Sequence, residues 1–248
     1  MTAIPLVLVH GHPFDHTMWR PQIEAFSASR PVLAPDLRGY GTAPGGPPVE
    51  LFEDFAEDIE ALLDEQGVPA CVLAGLSMGG QIVMDCYRRF PGRIRGLVLA
   101  DTFAAVETPE GVRARHAMAD RLLREGMHGY ADEVLGKMVA PYASPEVRAH
   151  VHGMMTATRP ESAAAALRAR AARPDYRELL TRVTVPALVT VGADDTYTPV
   201  ADAEAMHTLL PESELHVIKG AAHLPNLERA AEFNTVLGRF LAKVDARS

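Results

Sequence analysis

Apolar residues in this chain fall into short solid runs separated by stretches with a helical period. Leu6-Val7-Leu8-Val9, Pro31 to Pro35, Ala70 to Ala74, Arg95 to Ala100, Pro186 to Val191 and Glu214 to Ile218 each read as a strand. The clearest of them are continuous rather than alternating, as expected of parallel strands covered on both faces. Between them, Trp19 to Phe26 and Gly79 to Phe90 read as helices. In the stretch from Leu51 to Leu63, residues Leu51, Phe55, Ile59, Leu62 and Leu63 recur at helical spacing with acids opposite, predicting a packed surface helix. A last helix, Glu228 to Val244, carries Ala231, Phe233, Val236, Leu237, Phe240 and Leu241 on its apolar face. Strands alternating with helices predict an α/β fold with a mostly parallel sheet of about six strands.

The alternation stops between the fourth and fifth strands. From about Val106 to Arg182 there is helical pattern only. Thr108-Pro109-Glu110, Ser144-Pro145-Glu146 and Arg159-Pro160-Glu161 each put proline at a first helical position with an acid behind it, and the first two add a hydroxyl cap. About four helices are therefore expected as one inserted unit. Placed at the C-terminal edge of the sheet, the unit reads as a lid, dividing the chain into a core of residues 1–105 and 183–248 and a lid of residues 106–182. Gly41 to Pro48, rich in glycine and proline, reads as irregular and mobile.

Composition narrows the class without naming it. With 248 residues, 48% apolar and 23% charged, the chain fits one soluble α/β domain. A formal net charge of −8, with both signs interspersed, argues against nucleic acid or anionic membranes as partners. No apolar run approaches the roughly 20 residues of a membrane span. The N-terminus lacks a basic region and enters the first strand directly, so a cytoplasmic location is expected. Cys71 and Cys86 flank the serine turn described next and read as small buried hydrophobes in a reduced compartment.

Candidate chemistry concentrates after the strands. Gly75-Leu76-Ser77-Met78-Gly79 lies between the third strand and its helix, where a sharp turn requires small residues two before and two after the serine. Such a turn presents the Ser77 hydroxyl at the sheet edge and the Met78 N–H at a helix N-terminus, where it can hold an anion. A serine nucleophile needs a base, and the base needs a carboxylate. Asp194-Asp195 follows the fifth strand and His223 the sixth, in the order nucleophile, acid, base.

On these segments, with His10-Gly11-His12-Pro13 and Asp36-Leu37-Arg38-Gly39-Tyr40-Gly41, the chain resembles the α/β-hydrolase family over essentially its whole length. The similarity is to its serine esterase and lactonase branch and to the enol-lactonase and haloperoxidase-like relatives. The resemblance implies that Ser77 is the nucleophile, Asp195 the acid and His223 the base, with Asp194 and Asp101 as alternative acids. It implies an oxyanion hole of the Met78 and His12 N–H groups. Family members commonly begin with an antiparallel hairpin, which is missing or replaced here because Leu6 already belongs to the strand ending at His10-Gly11. The implied activity is hydrolysis of a carboxylic ester or lactone of a small, fairly apolar molecule, without cofactor. A cofactor-free perhydrolase, a carbon–carbon lyase or hydrolase, and a ligand receptor on the same fold are the alternatives.

Other residues carry two readings each. Phe14 and Trp19 are substrate-binding candidates or core; so are Met118, Met127, Met138, Met154 and Met155, which together suggest an adaptable apolar wall. Asp15, His10, His12 and His16 have metal-ligand types without a ligand spacing, and no metal is expected. His150 and His152 read as a solvated helix face, and Arg38 as a loop brace.

Overall fold

The computed structural model describes residues 3–43 and 47–247. Among these, six strands form one parallel sheet in the order β2-β1-β3-β4-β5-β6. They are β1 (Leu6–Val9), β2 (Val32–Leu33), β3 (Cys71–Leu76), β4 (Ile94–Ala100), β5 (Ala187–Gly192) and β6 (Ser213–Ile218). The helices, in chain order, are α1 (Arg20–Phe26), α2 (Asp54–Glu65), α3 (Met78–Arg89), α4 (Pro109–Glu125), α5 (His128–Met138) and α6 (Pro145–Ala157). They continue with α7 (Pro160–Ala171), α8 (Arg177–Leu180), α9 (Val200–Leu209), α10 (Pro225–Glu228) and α11 (Ala230–Asp245).

The solid apolar strands are covered on both faces, and the two-residue period decides which side chain goes where. Val7, Val9, Leu73, Leu97, Leu99, Val189 and Val191 pack with residues of α2, α3 and α9. Leu6, Leu8, Val72, Ala74, Leu76, Val98 and Leu188 face the other way, toward α11 and toward Phe14, Met154 and Met155. Cys71 and Cys86 are buried and unpaired; burial pushes the Cys71 thiol up to about 12 and Cys86 up as well. No helix among the described residues is long and apolar enough to cross a membrane.

No hairpin precedes β1 in the described residues, so β2 forms one sheet edge. It is only two residues long, because Pro31 and Pro35 bound it and proline cannot donate to a ladder. Between β4 and β5 lie α4 to α8. Thr108 and Ser144 accept the N–H groups of Gly111 and Val147 at 3.0 and 3.2 Å, the hydroxyl caps expected of them.

Two expectations need correction, and one helix was not expected. Leu51 is 56% exposed and outside α2, because the Asp54 carboxylate takes the Glu50 and Leu51 N–H groups and delays the helix. The last helix, α11, starts at Ala230 rather than Glu228, because Arg229, with a φ of −133°, separates it from the short α10. Between β5 and β6 stands α9, which buries only Ala203 and Met206 and so leaves little apolar periodicity to read. Of the irregular stretch Gly41 to Pro48, residues 44–46 lie outside those described.

Candidate active site

β3 ends at Leu76 and α3 begins at Met78, so Ser77 alone makes the turn. Its φ of 56° and ψ of −116° are strained for a residue with a side chain, a conformation costing about 1–3 kcal/mol. The surroundings enforce it. A Cβ on Gly75 would overlap the Gly79 carbonyl, and one on Gly79 would overlap the Val9 and His10 carbonyls. Ser77 N–H donates to Ala100 O at 2.9 Å, and Ser77 O accepts from the Thr102 hydroxyl at 2.7 Å.

The loop after β6 brings His223 against the loop after β5. His223 Nδ1 donates to Asp195 Oδ2 at 2.7 Å, and both side chains are buried. The other bonds to Asp195 come from its own loop: Tyr197 N–H and Thr198 N–H to Oδ1 at 2.7 and 3.0 Å, and the Thr198 hydroxyl to Oδ2 at 2.5 Å. Burial alone would raise the Asp195 carboxyl, but His223 and these donors hold it below its ordinary value. Tyr197 sets its ring edge-on to His223, with centroids 5.1 Å apart. Among the described residues no hydrogen bond joins His223 Nε2 to Ser77 Oγ; serine–histidine bonds of this kind often tighten only around substrate.

The two alternative acids have other surroundings. Asp194 accepts from the Tyr142 hydroxyl of the inserted region. Asp101 is buried at the end of β4 with φ 44°; its Oδ1 accepts Gly192 N–H at 2.9 Å and its Oδ2 has no hydrogen-bond partner. Burial, and then the Asp195 charge, push the Asp101 carboxyl well above the usual range and favour its protonated form. Asp101 lies within the same cluster, and Asp195 is the carboxylate that hydrogen-bonds the imidazole.

The second loop of interest follows β1. His10 Nε2 accepts Leu37 N–H at 2.9 Å, so its Nδ1 carries the proton shared with Gly11 O at 2.9 Å. Burial keeps this imidazole below its ordinary pKa. His12 is buried, with Nδ1 at 2.8 Å from the Tyr40 hydroxyl and Nε2 unpartnered. Burial, followed by the charges of Arg170 and Arg115, keeps His12 well below its ordinary value. The His12 N–H donates to no described protein acceptor, and Met78 opens α3, where first-turn N–H groups lack intrahelical acceptors.

Two groups of side chains have metal-ligand types, Asp15–His16–Asp36 and Asp101–Asp195–His223. In the first, Asp36 already accepts from His16 N–H, His16 Nδ1, Thr42 N–H and the Thr42 hydroxyl, at 2.7 to 2.8 Å. Asp15 accepts Thr17 N–H at 2.8 Å. These contacts brace loops. Arg38 does the same, forking onto Asp58 at 2.9 and 2.5 Å. The 760 Å³ cleft lined by His16, Asp36, Arg38 and Asp58 lies beside β2 and α2, away from Ser77.

Phe14 and Trp19 part company. Phe14 is buried, and its ring carbon lies 3.4 Å from where a Gly11 Cβ would stand, a point itself 3.2 Å from Ser77 Cβ. Trp19 is buried against Phe233, with centroids 6.1 Å apart, in the core under α11. Trp19, at the end of the short turn His16–Trp19, thus packs in the core cluster. Met138, Met154 and Met155 share a cluster with Phe14, and Met127 packs between α4 and α7. His150 is not a solvated residue, since its Nε2 contacts Thr17 O at 3.2 Å; His152 pairs with Asp132 at 2.8 Å.

The sequence reading missed a group of arginines beside this site. Arg170, on α7, is 1% exposed, and its Nε donates to Gln81 Oε1 at 2.6 Å. Arg115 pairs with Glu107. Arg173 is buried, donates to the Pro174 and Ala105 carbonyls at 3.2 and 2.5 Å, and lies 4.8 Å over the Phe103 ring. The signal was present. Ala163, Ala166, Leu167 and Arg170 share one face of α7, so an arginine occupies the stripe that should be apolar.

The sequence matches the profile of the Alpha/beta hydrolase family over residues 6–236. It is 30% identical to 3-oxoadipate enol-lactonase 2 of Acinetobacter baylyi, over 88% of this chain and 81% of that protein. It is also 30% identical to pimeloyl-[acyl-carrier protein] methyl ester esterase of Neisseria meningitidis, over 96% of this chain and 93% of that protein. Among solved structures, a thermophilic esterase from Thermogutta terrifontis with malate bound superposes with a TM-score of 0.95 at 36% identity. That match covers 98% of this chain and 91% of that one.

Proposed function

We propose, for a chain that belongs to the alpha/beta hydrolase family, that it hydrolyses a carboxylic ester or lactone through an acyl-enzyme on Ser77. The observation that carries this is the buried His223–Asp195 hydrogen bond at 2.7 Å, at the same sheet edge as the strained Ser77 turn.

In the proposed cycle His223 Nε2 takes the Ser77 Oγ proton as Oγ attacks the substrate carbonyl. Asp195 holds the ring with Nε2 free to do so and stabilises the imidazolium. The oxyanion rests on the Met78 and His12 N–H groups; in sites of this kind one such donor is worth about 3 kcal/mol. Collapse expels the alkoxide, which takes the proton from His223. A water then gives its proton to His223 and attacks the acyl carbon; the carbon–Oγ bond breaks, Ser77 Oγ takes the proton back from His223, and the acid leaves. Phe14 lines the acyl side, and α4 to α8 act as the lid that limits water.

The test is hydrolysis of p-nitrophenyl esters from acetate to octanoate, run beside Ser77→Ala, with a fluorophosphonate label mapped by mass spectrometry. Turnover lost in the variant and a label on Ser77 support the reading. A folded protein that neither turns over an ester nor takes the label overturns it.

A further inference from the structure

Arg170 is a buried guanidinium without a carboxylate. Its Nε is used by Gln81, whose own Nε2 has no partner, and its Nη2 has none either. Such donors are rarely left unpaired in a protein interior, since each loses its hydration without replacement. Burial, then repulsion from Arg115, pushes Arg170 down to about 10, still protonated at neutral pH. The nearest acid in the cluster, Glu107, is held by Arg115.

The position of these unpaired donors is what gives them a use. Gln81 lies one turn along α3 from Ser77, its N–H on Ser77 O at 3.3 Å. Phe103, under Arg170 at 5.9 Å, immediately follows the Thr102 that braces Ser77. His12 feels the Arg170 charge and leaves Nε2 unpartnered. Tyr197, whose ring meets His223, also lies beside the Arg170 and Arg115 guanidiniums. Enclosure of its hydroxyl would raise the phenol, and the two guanidiniums more than reverse that. Arg170 is thus ringed by the neighbours of Ser77 and His223.

Resting on the ester or lactone reading above, we propose that Arg170 and Gln81 form an anion subsite for a free carboxylate on the substrate, remote from the scissile carbonyl. The substrates are then half-esters or carboxy-lactones. Arg170 Nη2 and Gln81 Nε2 supply two donors to one carboxylate, and a guanidinium with no carboxylate partner of its own suits an anion.

The experiment compares pairs that differ only by carboxylate against methyl: monomethyl glutarate with methyl valerate, and monomethyl adipate with methyl hexanoate. The wild type is expected to prefer the charged member by at least tenfold in kcat/KM. Arg170→Met is expected to reduce that ratio at least tenfold, and Arg170→Lys to keep part of it. A merely structural arginine would lower both members in parallel and leave the ratio unchanged, overturning the proposal. A second readout needs no turnover. Glutarate is expected to bind Ser77→Ala by calorimetry more tightly than butyrate or inorganic phosphate, and not to bind the doubly substituted Ser77→Ala, Arg170→Met protein. Arg170-dependent glutarate binding with no esterase activity keeps the subsite and removes the hydrolase. Ser77-dependent hydrolysis with no charge preference and no glutarate binding does the reverse.

Discussion

The strand-end loops and the inserted helices complete their hydrogen bonds to different degrees. At the sheet edge most bonds close on themselves: Asp195 accepts four, His10 uses both nitrogens, and Ser77 is anchored through its N–H and its carbonyl, with His12 Nε2 and Asp101 Oδ2 the exceptions named above. On α7 and just after it, Arg170 Nη2 and Arg173 Nε are buried without partners. An unmade hydrogen bond of this kind costs about 1–3 kcal/mol. The edge is therefore braced within the fold, while the insertion carries unpartnered donors. On the function and subsite proposed above, chemistry and recognition are divided between them.

The comparison is broken most directly at its closed end. Ser77→Ala or His223→Ala should lower kcat by about 10⁶-fold on an ester, measured with enzyme free of wild-type contamination. Ser77→Gly should be equally inactive yet melt higher than Ser77→Ala, because glycine accepts a φ of 56° without a side-chain clash; a lower melting temperature would mean that the turn is not strained. Asp195→Asn should reduce kcat by about 10⁴-fold by reversing the polarity of the bond to His223. Asp194→Asn should stay within about twofold, as expected of a carboxylate that bonds only Tyr142. Equal losses at both would return the acid assignment to the choice open in the Asp194-Asp195 pair.

Asp101 sharpens the contrast through stability. Its folded pKa is raised, so between the unfolded value and the raised one the native state binds the extra proton. Stability contributed this way is present at low pH and falls as pH rises, by up to about 1.4 kcal/mol per pH unit for one proton. Asp101→Asn removes the titration and keeps a donor facing Asp195, so its melting-temperature advantage over wild type should grow from pH 5 to pH 8. A constant difference would mean that Asp101 is ionised in the fold. The smallest effect is expected at Tyr142→Phe, an exposed hydroxyl contact: about 0.5 kcal/mol or less in denaturant melts.

These outcomes also bear on what could be read in advance. Ser77, Asp195 and His223 were legible because each sits on a turn whose backbone needs are written in glycines and a strand before it. The six strands were legible for the same reason, being solid apolar runs. Residues that act through distant partners were not. Gln81 meets Arg170 across 89 positions, and Tyr197, in the loop after β5, lies beside Arg115 of α4 and Arg170 of α7, both distant in the chain. Trp19 stayed open between pocket and core because its size suits either, and its packing against Phe233 favours the core. Glycine spacing specifies a turn locally, whereas a buried polar group is specified by whatever folds onto it.

The backbone bond from Tyr176 N–H to Ala104 O, 2.9 Å long, ties the chain entering α4 to the chain leaving α7, just before α8. A segment that leaves and returns at one point can be lengthened, shortened or exchanged with small loop-closure cost and without pulling on the strands beneath. In evolutionary terms the molecule is a socket and a plug. On the proposed function, the plug can drift toward new substrates while the socket keeps its reaction, and a laboratory graft at Ala104 and Tyr176 would exploit the same seam.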